Sequence, residues 1–88
     1  MNSYDEIRLI INKMAEVKMA MNSHKGNIED LPVEMLCSMI SAENVELKEA
    51  IAQGDMIKVI EEAADIHNYL TAAVFKAVQQ YRGRKNNA

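Results

Sequence analysis

A chain of 88 residues, 49% of them hydrophobic and carrying a net charge of −3, reads as one domain with a modest core. That content excludes a disordered chain, and acidic and basic residues interspersed until the last few positions leave no basic face for a nucleic-acid duplex. Cys37 stands alone, which excludes an internal disulfide; with no secretory leader and no long apolar span, the expected setting is the cytoplasm, without a membrane partner.

Three helices follow in chain order. Ser3 is an N-cap with Glu6 at the capping-box position, and Ile7, Ile10, Ile11, Met14, Val17 and Met21 then share one face until Lys25-Gly26-Asn27. The second helix starts after Asp30, tolerates Pro32 in its first turn and runs through Leu36, Ile40 and Leu47 to Ala52, where Gln53-Gly54 stops it. Cys37 in this helix is expected to be a small core residue, since nothing near it would activate a thiol. Asp55 caps a third helix reaching about Tyr81, roughly 40 Å at the usual rise per residue. No run alternates with period two, so no strand is expected, and 82–88 reads as a polar basic tail that frays. The expectation is an all-α fold over residues 1–81: a helical hairpin plus an N-terminal helix, completing a four-helix-bundle-type core by oligomerisation.

Four carboxylates break the apolar pattern. Leu36, Ile40, Leu47, Ala50 and Ile51 form the buried stripe of the second helix, and Glu43 falls in its register where another Leu belongs. An ionised group buried without a partner costs many kcal/mol, so a carboxylate in that place is paired, protonated or bound to metal. Glu46 follows three residues on, beside it. Glu62 and Asp65 repeat the spacing and flank a second stripe of Val59, Ala63, Ile66, Leu70, Ala73, Val74 and Ala77. With Gly54-Asp55 as the whole turn, the two helices form an antiparallel hairpin. Counting from residue 54, Glu46 is eight positions back and Glu62 eight forward, while Glu43 and Asp65 are each eleven away, so the four acids are expected to form a square. Oxygen-only ligands suit Mg²⁺ first and Mn²⁺ next, whereas zinc would want His or Cys. Mg²⁺ held by carboxylates typically bridges to phosphates, and a spare carboxylate can activate one of its waters. The plainer alternative is a set of solvated helix-surface acids, against which stand the doubled pair and the apolar register of Glu43.

The segments Ala42-Glu43-Asn44-Val45-Glu46, Gly54-Asp55 and Glu61-Glu62-Ala63-Ala64-Asp65 resemble the all-α nucleoside triphosphate pyrophosphohydrolases, the MazG-like group, whose signature is E-E-x-x-E followed by E-x-x-D. The similarity spans roughly Leu36 to Leu70. It implies Mg²⁺-dependent hydrolysis of a (deoxy)nucleoside triphosphate between its α- and β-phosphates, giving a monophosphate and pyrophosphate. It also implies Glu43, Glu46, Glu62 and Asp65 as metal ligands, with Glu43 and Glu46 the catalytic candidates. Ala42 departs from the pattern where the signature has its first Glu, which bears on the general base more than on metal binding. The stretch Ala52–Asp55 with Glu62–Ile66 is also similar to the phosphoribosyl-ATP pyrophosphohydrolases. Against that relative, Ser38-Met39-Ile40-Ser41 replaces a basic Gly-containing segment, and Tyr69 stands where a His is usual.

Substrate contacts are expected from Tyr69 by stacking on a base or touching a sugar, from Asn68 by hydrogen bonding, and from Lys58, Arg82, Lys85 and Asn86 around the phosphates. Each also has a plainer reading: Tyr69 in the helix interface, Asn68 facing solvent, Lys58 paired with Glu62, the others a solubilising end. His67 reads as a core or interface residue. Ile- and Met-rich faces on so short a chain exceed what one bundle covers, so a homodimer or homotetramer is expected, as the resemblance also implies. Two non-enzymatic readings stand beside these: a catalytically silent nucleotide or metal sensor, and a helical module that binds another protein.

Overall fold

The computed structural model describes residues 3–86, the side chains at 85 and 86 apart. Three α-helices, α1 (Tyr4–Met21), α2 (Val33–Gln53) and α3 (Met56–Asn86), are joined by two 3₁₀ turns, Ser23–Lys25 and Ile28–Asp30, and by Gly54-Asp55. No strand occurs among the described residues.

Local chemistry explains each boundary. The Ser3 hydroxyl accepts from the Glu6 N–H at 3.2 Å and the Glu6 carboxylate accepts from the Ser3 N–H at 3.3 Å, a complete capping box. Pro32 is the N-cap residue of α2, outside the first turn, where its missing N–H costs nothing. At the other end Gly54 adopts φ +73°; its N–H bonds Ile51 and that of Asp55 bonds Ala50, both at 3.1 Å, a Schellman closure. Asp55 then accepts from the Lys58 N–H at 3.2 Å and opens α3.

The third helix runs to Asn86, five residues beyond the expected end at Tyr81. Residues 82–86 hold one glycine and no proline, so no strong breaker stands there, and the expected frayed tail is helical backbone as far as it is described. Among the described residues, no helix is long and apolar enough to cross a membrane.

The core is narrow. Ala15, Leu36, Ala50, Ala64, Ala72 and Ala73 are its buried apolar residues, and Leu36 is the largest side chain fully enclosed. It sits against Ala72 and Ala73 under Ile28, Leu31 and Tyr69. α3 is the central helix, packed by α2 along one side and α1 along another, and this double packing rotates its inward face from the one expected. Glu62, Ala64, Ala72 and Ala73 are buried, whereas Leu70 and Val74 are about half exposed. Ile51 is likewise outside, and Cys37, expected in the core, is exposed because Leu36 takes the inward position beside it. His67 also points outward, its carbonyl accepting from the Thr71 hydroxyl.

Candidate functional site

Where α2 and α3 lie side by side, Glu43, Glu62 and Asp65 each bring a carboxylate oxygen within 4.8 Å of the other two. Glu62 is 8% exposed, while Glu43 and Asp65 are half-buried. One oxygen on each glutamate, Oε2 of Glu43 and Oε2 of Glu62, is shut off from solvent with no hydrogen-bond partner. Two ionised carboxylates can only accept, so nothing between them satisfies either; a shared proton or a cation would.

The proton solution is visible in the electrostatics. Glu43 is pushed up to about 8 from an ordinary value of 4.5, first by the hydrogen bond its protonated form makes with Glu62, then by burial and by the charges of Glu62, Glu46 and Asp65. A carboxyl that holds its proton near neutrality inside a cluster of acids makes this hairpin the candidate site of the molecule.

Of the four expected ligands, three are assembled and the fourth stands apart. Glu46 is exposed and does not join the trio, although its charge acts on Glu43. Three residues fall about 60° short of a full helical turn, so with Glu43 aimed at α3 the Glu46 side chain emerges to one side of it, in solvent. The square drawn from equal counts along the hairpin is therefore a triangle with an outlying fourth acid.

Sequence reasoning overlooked Lys18. Its Nζ lies 2.9 Å from Asp65 Oδ2, an ion pair between α1 and α3 with both side chains 22% exposed. Burial alone would lower the Lys18 ammonium, but the hydrogen bond and charge of Asp65, with Glu61 and Glu62, outweigh it and hold the group above its usual value. The signal available in sequence was a lysine near the last turn of an otherwise Ile- and Met-rich helix; spacing within α1 says nothing about an acid 47 positions away.

The outer candidates divide. Tyr69 is half-buried beside the acids, its hydroxyl raised by burial and then by the charges of Asp65 and Glu43. Asn68 is committed in part: its Nδ2 donates to the Ala15 carbonyl at 3.0 Å and ties α3 to α1. Lys58 and Arg82 are exposed, and the side chains of Lys85 and Asn86 lie outside the described residues. Beside the trio opens a cavity of about 340 Å³ between the end of α1, residues 25–31 and α3, with Lys18, Asp65, Asn68 and Tyr69 on its wall. Its size is at the lower end of small-molecule pockets.

Comparison of the chain with protein-family models, with curated proteins and with solved structures finds no match.

Proposed function

We propose that this chain is a Mg²⁺-dependent nucleotide pyrophosphohydrolase that cleaves a (deoxy)nucleoside triphosphate between its α- and β-phosphates. The observation that carries the reading is the pair of solvent-excluded, unpartnered oxygens on Glu43 and Glu62, with Asp65 completing three oxygen donors and no His or Cys among them. Such a donor set fits a hard divalent ion, Mg²⁺ or Mn²⁺. When bound, the ion supplies charge neutralisation on the phosphate chain and acidifies a water.

In this reading Glu43, Glu62 and Asp65 hold the ion, and Glu43 gives up its proton to do so. Glu46, exposed next to Glu43, is free to accept a proton from the attacking water at its carboxylate. The cavity receives the nucleoside, with the Tyr69 ring along its wall and Asn68 offering its remaining acceptor. Lys58 is exposed about one turn from Glu62 on the same helix, whereas Arg82 stands roughly 25 Å along the axis from Asp65 and would reach the phosphates only in a partner copy's site. The protein works as a homodimer or homotetramer, because one copy leaves much of its apolar surface uncovered, and a nucleotide-pool substrate puts it in the cytoplasm in this reading.

The test is incubation with Mg²⁺ and a panel of canonical and modified nucleoside triphosphates, phosphoribosyl-ATP included, following monophosphate and pyrophosphate. Glu62→Gln is expected to lose metal binding and turnover together, whereas Glu46→Gln keeps the metal and loses most of the turnover. Turnover of phosphoribosyl-ATP alone would transfer the assignment to that relative. Metal binding with no product would make the chain a sensor. No metal binding at all would reduce the acids to part of a helical interaction module.

A further inference from the structure

Lys18 occupies a place that the proposed chemistry does not use. Among the described residues it forms the one ion pair between different helices; the other two, Arg8–Asp5 and Lys13–Glu16, link neighbours along α1 and are well exposed. Its ammonium rests on one of the three carboxylates that would hold a cation, and its stem lies on the wall of the adjoining cavity. A divalent ion among Glu43, Glu62 and Asp65 would stand beside this ammonium, and like charges at that distance repel strongly in a half-buried setting. A lysine on four rotatable carbons can leave without moving the backbone. The docking of α1 would survive, because the Asn68–Ala15 hydrogen bond and buried Ala15 hold the same stretch of helix.

We propose that Lys18 is a displaceable counter-ion, resting on Asp65 in the metal-free protein and turning into the adjoining cavity when a divalent cation takes the three carboxylates. Lys25 also lines that cavity, so the two ammonium groups together would meet the phosphate end of a nucleotide whose nucleoside lies against Tyr69 on the same wall. Binding of the metal and of the anion are then coupled: the first frees the cation that the second requires. This inference rests on the metal-site reading above, which it deepens by naming an order of events.

Mn²⁺ titration followed by electron paramagnetic resonance tests it without reference to turnover. Lys18→Gln and Lys18→Met remove the competing cation; Lys13→Gln removes an equal charge from an exposed position on the same helix. The Lys18 variants are expected to bind Mn²⁺ about two- to fivefold more tightly than Lys13→Gln, the span of a partly exposed ion pair. In the wild-type protein, Mg²⁺ should shift the side-chain ammonium resonance of Lys18, identified by its loss in Lys18→Gln. Circular dichroism confirms that each variant is folded, and either neutral variant alone suffices. Equal Mn²⁺ affinity in the Lys18 and Lys13 variants, or a Lys18 resonance unmoved by saturating Mg²⁺, overturns the proposal while leaving the metal site standing. Absence of Mn²⁺ binding in every form, wild type included, overturns the metal site and Lys18's role with it.

Discussion

Glu43 holds its proton more tightly in the folded chain than in the unfolded one, and that difference has a sign. The ordinary carboxyl value is 4.5 and the folded value about 8, so the folded state carries the extra proton between these limits. Stability falls with rising pH wherever the native state binds more protons, so Glu43's contribution is fully present below pH 4.5 and gone above about 8. The groups that set it are Glu62, Glu46 and Asp65. In the presence of a chelator, Glu43→Gln is expected to flatten the decline and to melt roughly 5 °C above the wild type at pH 9, the shift that about 1 kcal/mol makes in a domain of this size. Parallel melting curves for the two proteins across pH 5–9 would refute the shared proton. A polar residue in an apolar register is what made Glu43 legible from sequence. Its proton was not, because that depends on how closely Glu62 approaches from another helix. The same limit hid Lys18: helical periodicity orders side chains around one axis and is silent on the partner across the interface.

At the scale of the helices, caps and the turn are local and were therefore readable. Ser3 with Glu6, Gly54 and Asp55 each act within five residues of themselves, and all three take the expected geometry. Gly54→Ala is expected to cost about 1 kcal/mol, because φ +73° forces a Cβ into the left-handed region although the space around it is empty. Chemical denaturation would show an unchanged m-value and a lower midpoint. What local rules could not decide is the face each helix presents. The expected stripe of α2 holds Leu36 and Ala50, which the structure buries, but also Ile51, which it leaves outside, and Cys37, expected in the core, is exposed. Leu36→Ala is accordingly expected to cost about 2–5 kcal/mol and Cys37→Ala less than about 0.5. Similar losses from both would mean that α2 is rotated from the position described. The α3 stripe misled for the same reason: it was read for one neighbour, and α1 supplies a second.

The whole molecule presents more surface than its mass warrants. It exposes 6605 Å², whereas a compact monomer of this mass shows roughly 5,200 Å². The excess comes from an elongated body, 51 × 25 × 25 Å, and from apolar residues left outside. Leu70, Val74, Val78 and Tyr81 recur along one side of α3, each at least 41% exposed. By the same counting that levels Glu46 with Glu62, Val33 lies level with residue 75, so the last turns of α3 project beyond the start of α2. A seam of that kind invites a second copy, which would complete the four-helix core that one chain lacks. Standard interfaces bury about 800 Å² on each partner, an amount the excess can supply. Sedimentation equilibrium at micromolar concentration is expected to return at least twice the chain mass. Leu70→Asp with Val74→Asp is expected to return the chain mass, with a melting temperature at least 10 °C lower, because each aspartate would place a charge in the buried seam. Both residues are half exposed in the isolated chain, so a monomeric protein would tolerate the pair almost unchanged. A wild type that sediments as a monomer and a double variant that melts with it would remove the partner. The carboxylate trio would then have to act within a single hairpin covered only by α1.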